Sequence, residues 1–275
     1  MKPRRFDYVR PDSADEAVAV LAEYGEAASV LAGGQSLMAM LNLRIAEPAV
    51  LVDIARLTEL DYIRVAWNKV EVGAAVTQNR LKDWRELASK LPLLAAALPF
   101  VGHFQTRNKG TVCGSIAHAD PSSEIPLVLA TLAGEVVLRS QRGTRVLPAG
   151  DFQRGMLTTA RAPDELIVAV RFPIQSTRGV AFREVARRHG DFAIIAVAAS
   201  VEDRNTVQIG IGGVADRPAV RRATIDTIAD ASDIFESLAW ELAGYDDMHA
   251  SARLRRDLLR RVGPIVVEEA LRCAA

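Results

Sequence analysis

Ser29-Val30-Leu31-Ala32-Gly33-Gly34-Gln35-Ser36, followed by LMAMLNLR at 37–44, sets a short apolar strand against a paired-glycine turn and then a helical run. A second apolar strand at 50–54 closes the unit, so strand, turn, helix and strand fit within ~25 residues as a small β-α-β unit. Paired glycines free the backbone for φ > 0 and allow close approach to a ligand. Amides exposed at such a turn, beside a helix start, suit phosphate or diphosphate. A tight turn without a ligand satisfies the same five residues, and neither the G-x-G-x-x-G nor the P-loop pattern is present.

Upstream, Ser13 and Glu16 form an S-x-x-E capping box, Ala17, Val18, Val20 and Leu21 supply an apolar helical face, and Gly25 ends the helix. Downstream, 63–74 alternates around Trp67-Asn68-Lys69 and predicts a hairpin. Thr77 opens a helix running through Leu81, Trp84, Leu87 and Leu91, and a second helical run at 93–98 ends near Pro99. Residues 101–130 are irregular, crowded with Gly, His, Asn, Asp, Ser and Pro, yet beaded with Val112, Ile116, Ile125 and Leu127. A structureless stretch of that length is usually functional or disordered, and the apolar beads argue against disorder. Strand-like runs fill 134–173, and three more occupy 180–212. The paired glycines Gly212-Gly213, with Gly210, read as a bend where strands pack closely, and helices are expected over 236–243 and 252–272. A boundary near 174–178 divides a part of about 175 residues from one of about 100.

Composition narrows the function classes. The 275 residues carry 34 basic and 34 acidic side chains, a formal net charge of zero, which disfavours a general nucleic-acid binder. With 49% hydrophobic and 25% charged residues the chain is not of the disordered class. The longest apolar runs, such as 192–201, fall well short of the ~20 residues of a membrane span. The basic start leads into no apolar signal region, so a cytoplasmic location is expected. Cys113 and Cys273 are the two cysteines, too few for a four-thiolate iron–sulfur or zinc site. His103, His118, His189 and His249 show no i, i+3 or i, i+4 pairing, so no metal site is expected.

A second small-residue loop, Thr111-Val112-Cys113-Gly114-Ser115, reads alone as another turn. Together, AGGQSL at 32–37, RNKGTVCGSIAHADPSSEIP at 107–126, ARRHGDFAI at 186–194 and DMHASARLRRDLL at 247–259 resemble, in order and spacing, the FAD-binding medium subunit of molybdenum hydroxylases. This is the family of carbon monoxide dehydrogenase and of the flavin domain of xanthine dehydrogenase, and the resemblance runs from Phe6 to about Leu271.

The resemblance implies an α+β, FAD-binding fold of the vanillyl-alcohol-oxidase/PCMH type. It would comprise a small β-α-β subdomain (about 1–55), a larger α+β subdomain (56–175), and a C-terminal domain (176–275) of antiparallel sheet and helices. It implies that Ala32, Gly33, Gly34, Gln35 and Ser36 wrap the FAD diphosphate, with Leu37 adding backbone. Thr111, Val112, Cys113, Gly114 and Ser115 would lie against the flavin and ribityl chain. Val101 would be an apolar flavin neighbour, Glu124 a carboxylate for FAD hydroxyls, and Leu166 and Arg183 further contacts. Phe192 would pack over the isoalloxazine, with plain strand core as its alternative. His103 and His118 would stand behind these contacts. Cys113 departs from the family's usual glycine, so it needs an ordinary φ or a side chain turned from the flavin.

No residue of this chain is expected to act as an essential acid or base. The resemblance places substrate oxidation at a molybdopterin centre in a large partner subunit and two 2Fe–2S clusters in a small one, giving a heterotrimer and a dimer of heterotrimers. The alternatives are a free-standing FAD-dependent oxidoreductase and a non-catalytic nucleotide-binding assembly module.

Overall fold

A computed structural model of the protein describes residues 2–176 and 179–274. Thr177 and Arg178, inside the expected boundary at 174–178, lie outside the described residues. Strands β1 (Asp7–Val9), β2 (Ala28–Leu31) and β3 (Val50–Asp53) form a parallel sheet in the order β1-β3-β2. Sequence patterning passes over β1, because it has only three residues, two of them exposed, and shows no alternation. Helix α1 (Ala14–Tyr24) connects β1 to β2 and buries Ala14, Ala17, Val18 and Leu21. Val18 and Leu21, taken out of water, each contribute about 1.5–3 kcal/mol. Ser13 caps α1 by accepting from the Glu16 N–H, but the box is half formed, since the Glu16 carboxylate accepts from Asp12 N (2.8 Å) instead. Helix α2 (Leu37–Asn42) follows the glycine turn.

Strands β4 (Ile63–Ala66) and β5 (Lys69–Gly73) form the expected hairpin, turning on Trp67 and Asn68 at φ 50° and 58°, the geometry of a primed turn. The helix expected over 77–91 is divided into α3 (Gln78–Lys82) and α4 (Leu87–Lys90), and α5 (Pro92–Ala97) follows. Residues 101–130 are more regular than their composition predicts. They make α6 (Phe104–Arg107), α7 (Val112–His118) and α8 (Glu124–Thr131), with Thr111 and Ser123 at the N-caps of the last two. Strands β6 (Glu135–Ser140) and β7 (Gly143–Pro148) precede a short helix α9 (Ala149–Phe152) and a two-stranded ribbon of β8 (Gln153–Gly155) and β9 (Thr158–Thr159). Then β10 (Leu166–Pro173) completes an antiparallel sheet in the order β4-β5-β10-β6-β7.

The C-terminal sheet is an antiparallel meander of β11 (Val180–Val185), β12 (Ile195–Val201), β13 (Thr206–Gly212) and β14 (Ala219–Thr224). The last strand escapes patterning because its Val-Arg-Arg core is largely exposed on an edge. Both faces of β12 are buried, so apolar residues follow one another along it, interrupted only by Ser200. Ala196 and Ala198 join the core shared with α8, while Ile195, Val197, Ala199 and Val201 join a second core under α10 (Ile228–Glu241) and α11 (Ala252–Ala274). Gly210 serves helix-on-sheet packing rather than strand-on-strand packing. A Cβ there would strike the Thr131 hydroxyl and reach Leu127 Cδ1 at 3.0 Å.

Arg255 explains the DMHASARLRRDLL stretch. It is 1% exposed, donates through Nη1 to the Ile194 and Gly213 carbonyls, and pairs through Nη2 with Asp247 at 2.7 Å. Its Nε donates to Tyr245 O, and its guanidinium lies 4.3 Å from the Tyr245 ring centroid. One buried cation thus ties α11 to the ends of two strands. No helix among the described residues is long and apolar enough to cross a membrane.

Candidate functional site

The glycine turn and the second loop meet backbone to backbone. A Cβ on Gly33 would lie 2.6 Å from Gly110 Cα and 2.8 Å from the Lys109 carbonyl carbon, so no side chain fits there. Gly34 takes φ +70°, a left-handed value that also favours glycine. Met38 N–H is the first to bond into α2 (to Gly34 O, 3.0 Å), so the turn's preceding amides have no helical partner. Gln78 N–H donates to Gly110 O (2.8 Å) and Val112 N–H to Val76 O (3.1 Å), fixing the second loop to the end of β5's extension. Thr111 Oγ1 then accepts from Gly114 N–H (3.0 Å) and starts α7.

Around this contact lies a cleft of about 520 Å³, walled by the β-α-β unit, the larger sheet with its helices, and the 190–192 segment ahead of β12. Of the residues singled out by sequence, Ala32, Gly33, Gly34, Gln35, Ser36, Leu37, Val101, Thr111, Cys113, Gly114, Ser115, Glu124, Leu166 and Phe192 line it. Two do not. Val112, the first residue of α7, is fully buried in the core, and Arg183 sits on the opposite face of the C-terminal sheet, paired with Glu269 at 2.9 Å. Phe192 is 57% exposed and precedes β12, which sets aside its reading as strand core.

Cys113 is accommodated by an ordinary helical backbone in α7. Its thiol donates to Val72 O (3.6 Å), and burial pushes its pKa far above the usual thiol range, so it is held as an inert thiol. His118 lines the cleft. The His103 ring backs onto Gly190 and lies 6.3 Å from that of His189, bracing the rim. Arg107 Nη1 donates to both Val101 O (2.8 Å) and Gly102 O (2.7 Å), which shapes the apolar edge of the cleft.

Sequence reading missed Gln78 and Arg161, both on the cleft wall. Among the described residues, the Gln78 side-chain carbonyl oxygen is buried without a partner, beside Gly110. The Thr77 cap was the available signal for Gln78, since it places the next side chain on the first turn of a helix facing the loop. Arg161 stands near two acids, Asp164 and Glu165, and so looks like half of a surface ion pair.

Glu124 is buried in the cleft wall, and burial raises its carboxyl to about 7, with Asp120 adding to the rise. Burial likewise raises Glu184 to about 8, helped by the charge of Glu124. A carboxyl raised on folding keeps its proton in the folded chain after the unfolded chain has lost it. The stability Glu124 contributes is therefore present below its ordinary value of 4.5 and is lost as pH rises through about 7, by on the order of a few kcal/mol. Glu124→Gln is expected to raise the melting temperature of the flavin-free chain by several degrees at pH 8 and to change it little at pH 5. Differential scanning fluorimetry across pH checks this, and a variant with the parent's pH profile would contradict it.

A mixed α+β chain in which two glycine loops touch around a cleft, its wall holding a buried carboxyl raised to about 7 and, among the described residues, a buried acceptor without a partner, has the chemistry of a nucleotide-cofactor protein. A family described as the FAD binding domain in molybdopterin dehydrogenase matches residues 4–175. Caffeine dehydrogenase subunit beta of Pseudomonas sp. (strain CBB1) is 42% identical over 208 residues, covering 74% of this chain and 70% of that one. The carbon monoxide dehydrogenase medium chain of Afipia carboxidovorans is 36% identical over 223 residues, covering 79% and 77%. A crystal structure of the Cu,Mo-CO dehydrogenase in its cyanide-inactivated form matches with a TM-score of 0.91 at 31% identity over the whole of both chains.

The chain belongs to the family of FAD-binding domains of molybdopterin dehydrogenases. It is the FAD-binding medium subunit of an oxidoreductase of the molybdenum hydroxylase type.

Proposed function

We propose that this chain is the electron outlet of a cytoplasmic heterotrimer, passing electrons from the 2Fe–2S clusters of a small partner subunit to an external acceptor. Substrate oxidation then belongs to a large molybdopterin subunit, and two heterotrimers associate as a dimer. The observation that carries the reading is the cleft of touching glycine loops in a chain whose two cysteines, one buried and one exposed, are too few to ligate a cluster.

FAD, when bound, supplies redox chemistry at its isoalloxazine ring, while the protein supplies binding, orientation and electrostatics. Residues 32–37 hold the diphosphate with backbone amides, and the space that a Cβ on Gly33 would fill stays clear for the loop contact. Thr111, Gly114 and Ser115 lie along the flavin and ribityl chain. Glu124 meets cofactor hydroxyls, and its raised pKa lets it donate as well as accept near neutral pH. Val101, Leu166 and Phe192 form apolar walls that exclude water. Val112 supports the second loop from the core, and Arg183 takes no part. In this reading residues 1–175 bind the cofactor and 176–275 close over it.

Purification of the tagged full chain from its native host is expected to yield two partners in equal amount, one with iron–sulfur absorption and one holding molybdopterin, at a mass near two heterotrimers by light scattering. A chain that purifies alone and reduces an acceptor with its own small-molecule substrate would overturn the assignment.

A further inference from the structure

Arg161 lies on the cleft wall beside Leu166, in the turn between β9 and β10. Its Nη1 is spent on neutral acceptors, donating to the carbonyls of Ala162 (3.1 Å), Pro163 (3.4 Å) and Glu165 (2.7 Å). These bonds fix the plane of the guanidinium. Two carboxylates stand within four residues, yet neither bonds to it. Asp164 pairs with Arg142 in the turn of the β6–β7 hairpin. Glu165 is gripped by Arg145 on β7, from Nε (2.6 Å) and Nη2 (2.7 Å), and accepts from Ala162 N–H (2.7 Å).

Both acids of the turn are thus committed to arginines on the outer side, and Arg161 makes no ion pair among the described residues. Its Nε and Nη2 groups have no protein acceptor there. Arginine keeps its charge in proteins. Arg161 is half-buried, and burial pushes its pKa below the ordinary arginine value although the nearby charges of Glu165 and Asp164 act the other way, so a charged partner for its free N–H groups on the cleft side would be favourable. The other acids on the cleft wall, Glu124 and Asp191, do not bond to it.

We infer that Arg161 is a cofactor-binding residue outside both glycine loops, its free N–H groups meeting a negative charge of the bound dinucleotide. The inference rests on the cleft being the FAD site. The charge has two possible sources, the diphosphate or the pyrimidine edge of the reduced flavin, and both call for the same planar donor.

The test uses the full chain, stripped of flavin and titrated with FAD and with riboflavin, which has no phosphate, followed by the midpoint potential of the bound FAD. R161Q is the neutral variant, R161M a second one should the first fail to fold, and R161K the charge-retaining control. If the diphosphate supplies the charge, FAD affinity in the neutral variants is expected to fall roughly tenfold or more, the loss of a charged hydrogen bond, and R161K is expected to recover part of it. A diphosphate contact leaves riboflavin affinity and the potential unchanged. A reduced-flavin contact moves the potential to more negative values and leaves oxidised riboflavin binding near the parent's. Neutral variants that bind FAD with the parent's affinity and hold it at the parent's potential would overturn the inference alone. A parent chain that takes up no FAD would overturn both it and the reading on which it rests.

Discussion

Gly33→Val is expected to leave the purified chain with less than about a tenth of the parent's bound FAD. A valine Cβ would sit 2.6 Å from Gly110 Cα and 2.8 Å from the Lys109 carbonyl carbon, and closer still to the Lys109 oxygen. Those neighbours are backbone, so no side chain swings aside, and one loop must retreat. Retreat breaks the contact that holds both loops at one edge of the cleft, and the amides of 34–37 and the cap at Thr111 lose their mutual alignment. Gly34→Val differs in kind. Its Cβ meets only side-chain atoms, Leu31 Cδ1 at 3.2 Å and Met38 Cγ at 3.3 Å, and its penalty is the left-handed φ of +70°, about 1–2 kcal/mol. Weakened rather than abolished binding is expected at position 34. The flavin-to-protein ratio, read beside far-ultraviolet circular dichroism, separates a lost cradle from a lost fold. A Gly33→Val chain retaining the parent's flavin would place the diphosphate elsewhere.

The second large effect concerns stability. Arg255→Leu removes a cation that is 1% exposed, strands the carbonyls of Ile194 and Gly213, and leaves Asp247 without its guanidinium. Each buried carbonyl left without its donor costs about 1–3 kcal/mol, while Asp247, which is exposed, adds little. At ~2–4 °C per kcal/mol for a chain approaching this size, the melting temperature is expected to drop by roughly 10 °C. Arg255→Lys restores a charge but not the fork that serves two carbonyls and a carboxylate together, so it recovers only part of the loss. A melting curve of Arg255→Leu within ~2 °C of the parent would show that the clamp is dispensable.

Much of this was legible in the sequence where local chemistry and tertiary role agree. Gly33-Gly34 between an apolar strand and a helix marks the turn, Ser13 marks the start of α1, and Trp67-Asn68 marks the hairpin, because each is decided by its chain neighbours. Where the deciding partner is distant in sequence, the reading fails. Strands β1 and β14 are short or exposed, and exist through pairing with β3 and β13. The 101–130 stretch looks irregular, because its caps at Thr111 and Ser123 carry more information than its periodicity. Arg161 is concealed by the acids beside it, whose true partners, Arg142 and Arg145, lie about twenty residues away. The 247–259 motif shows its purpose only once Arg255 meets Ile194, 61 residues earlier. The family resemblance implies a cofactor contact at Arg183, but the register of β11 against β12 puts it on the face that packs under α11, which no linear motif reveals.

The central claim, that the cleft between the two glycine loops holds the flavin, is tested most directly by the visible absorption spectrum and cofactor content of the full chain purified on its own. The expected result is a yellow protein with flavin bands, no iron–sulfur shoulder, and one FAD per chain, lost in Gly33→Val. A colourless chain that also fails to take up added FAD would contradict it.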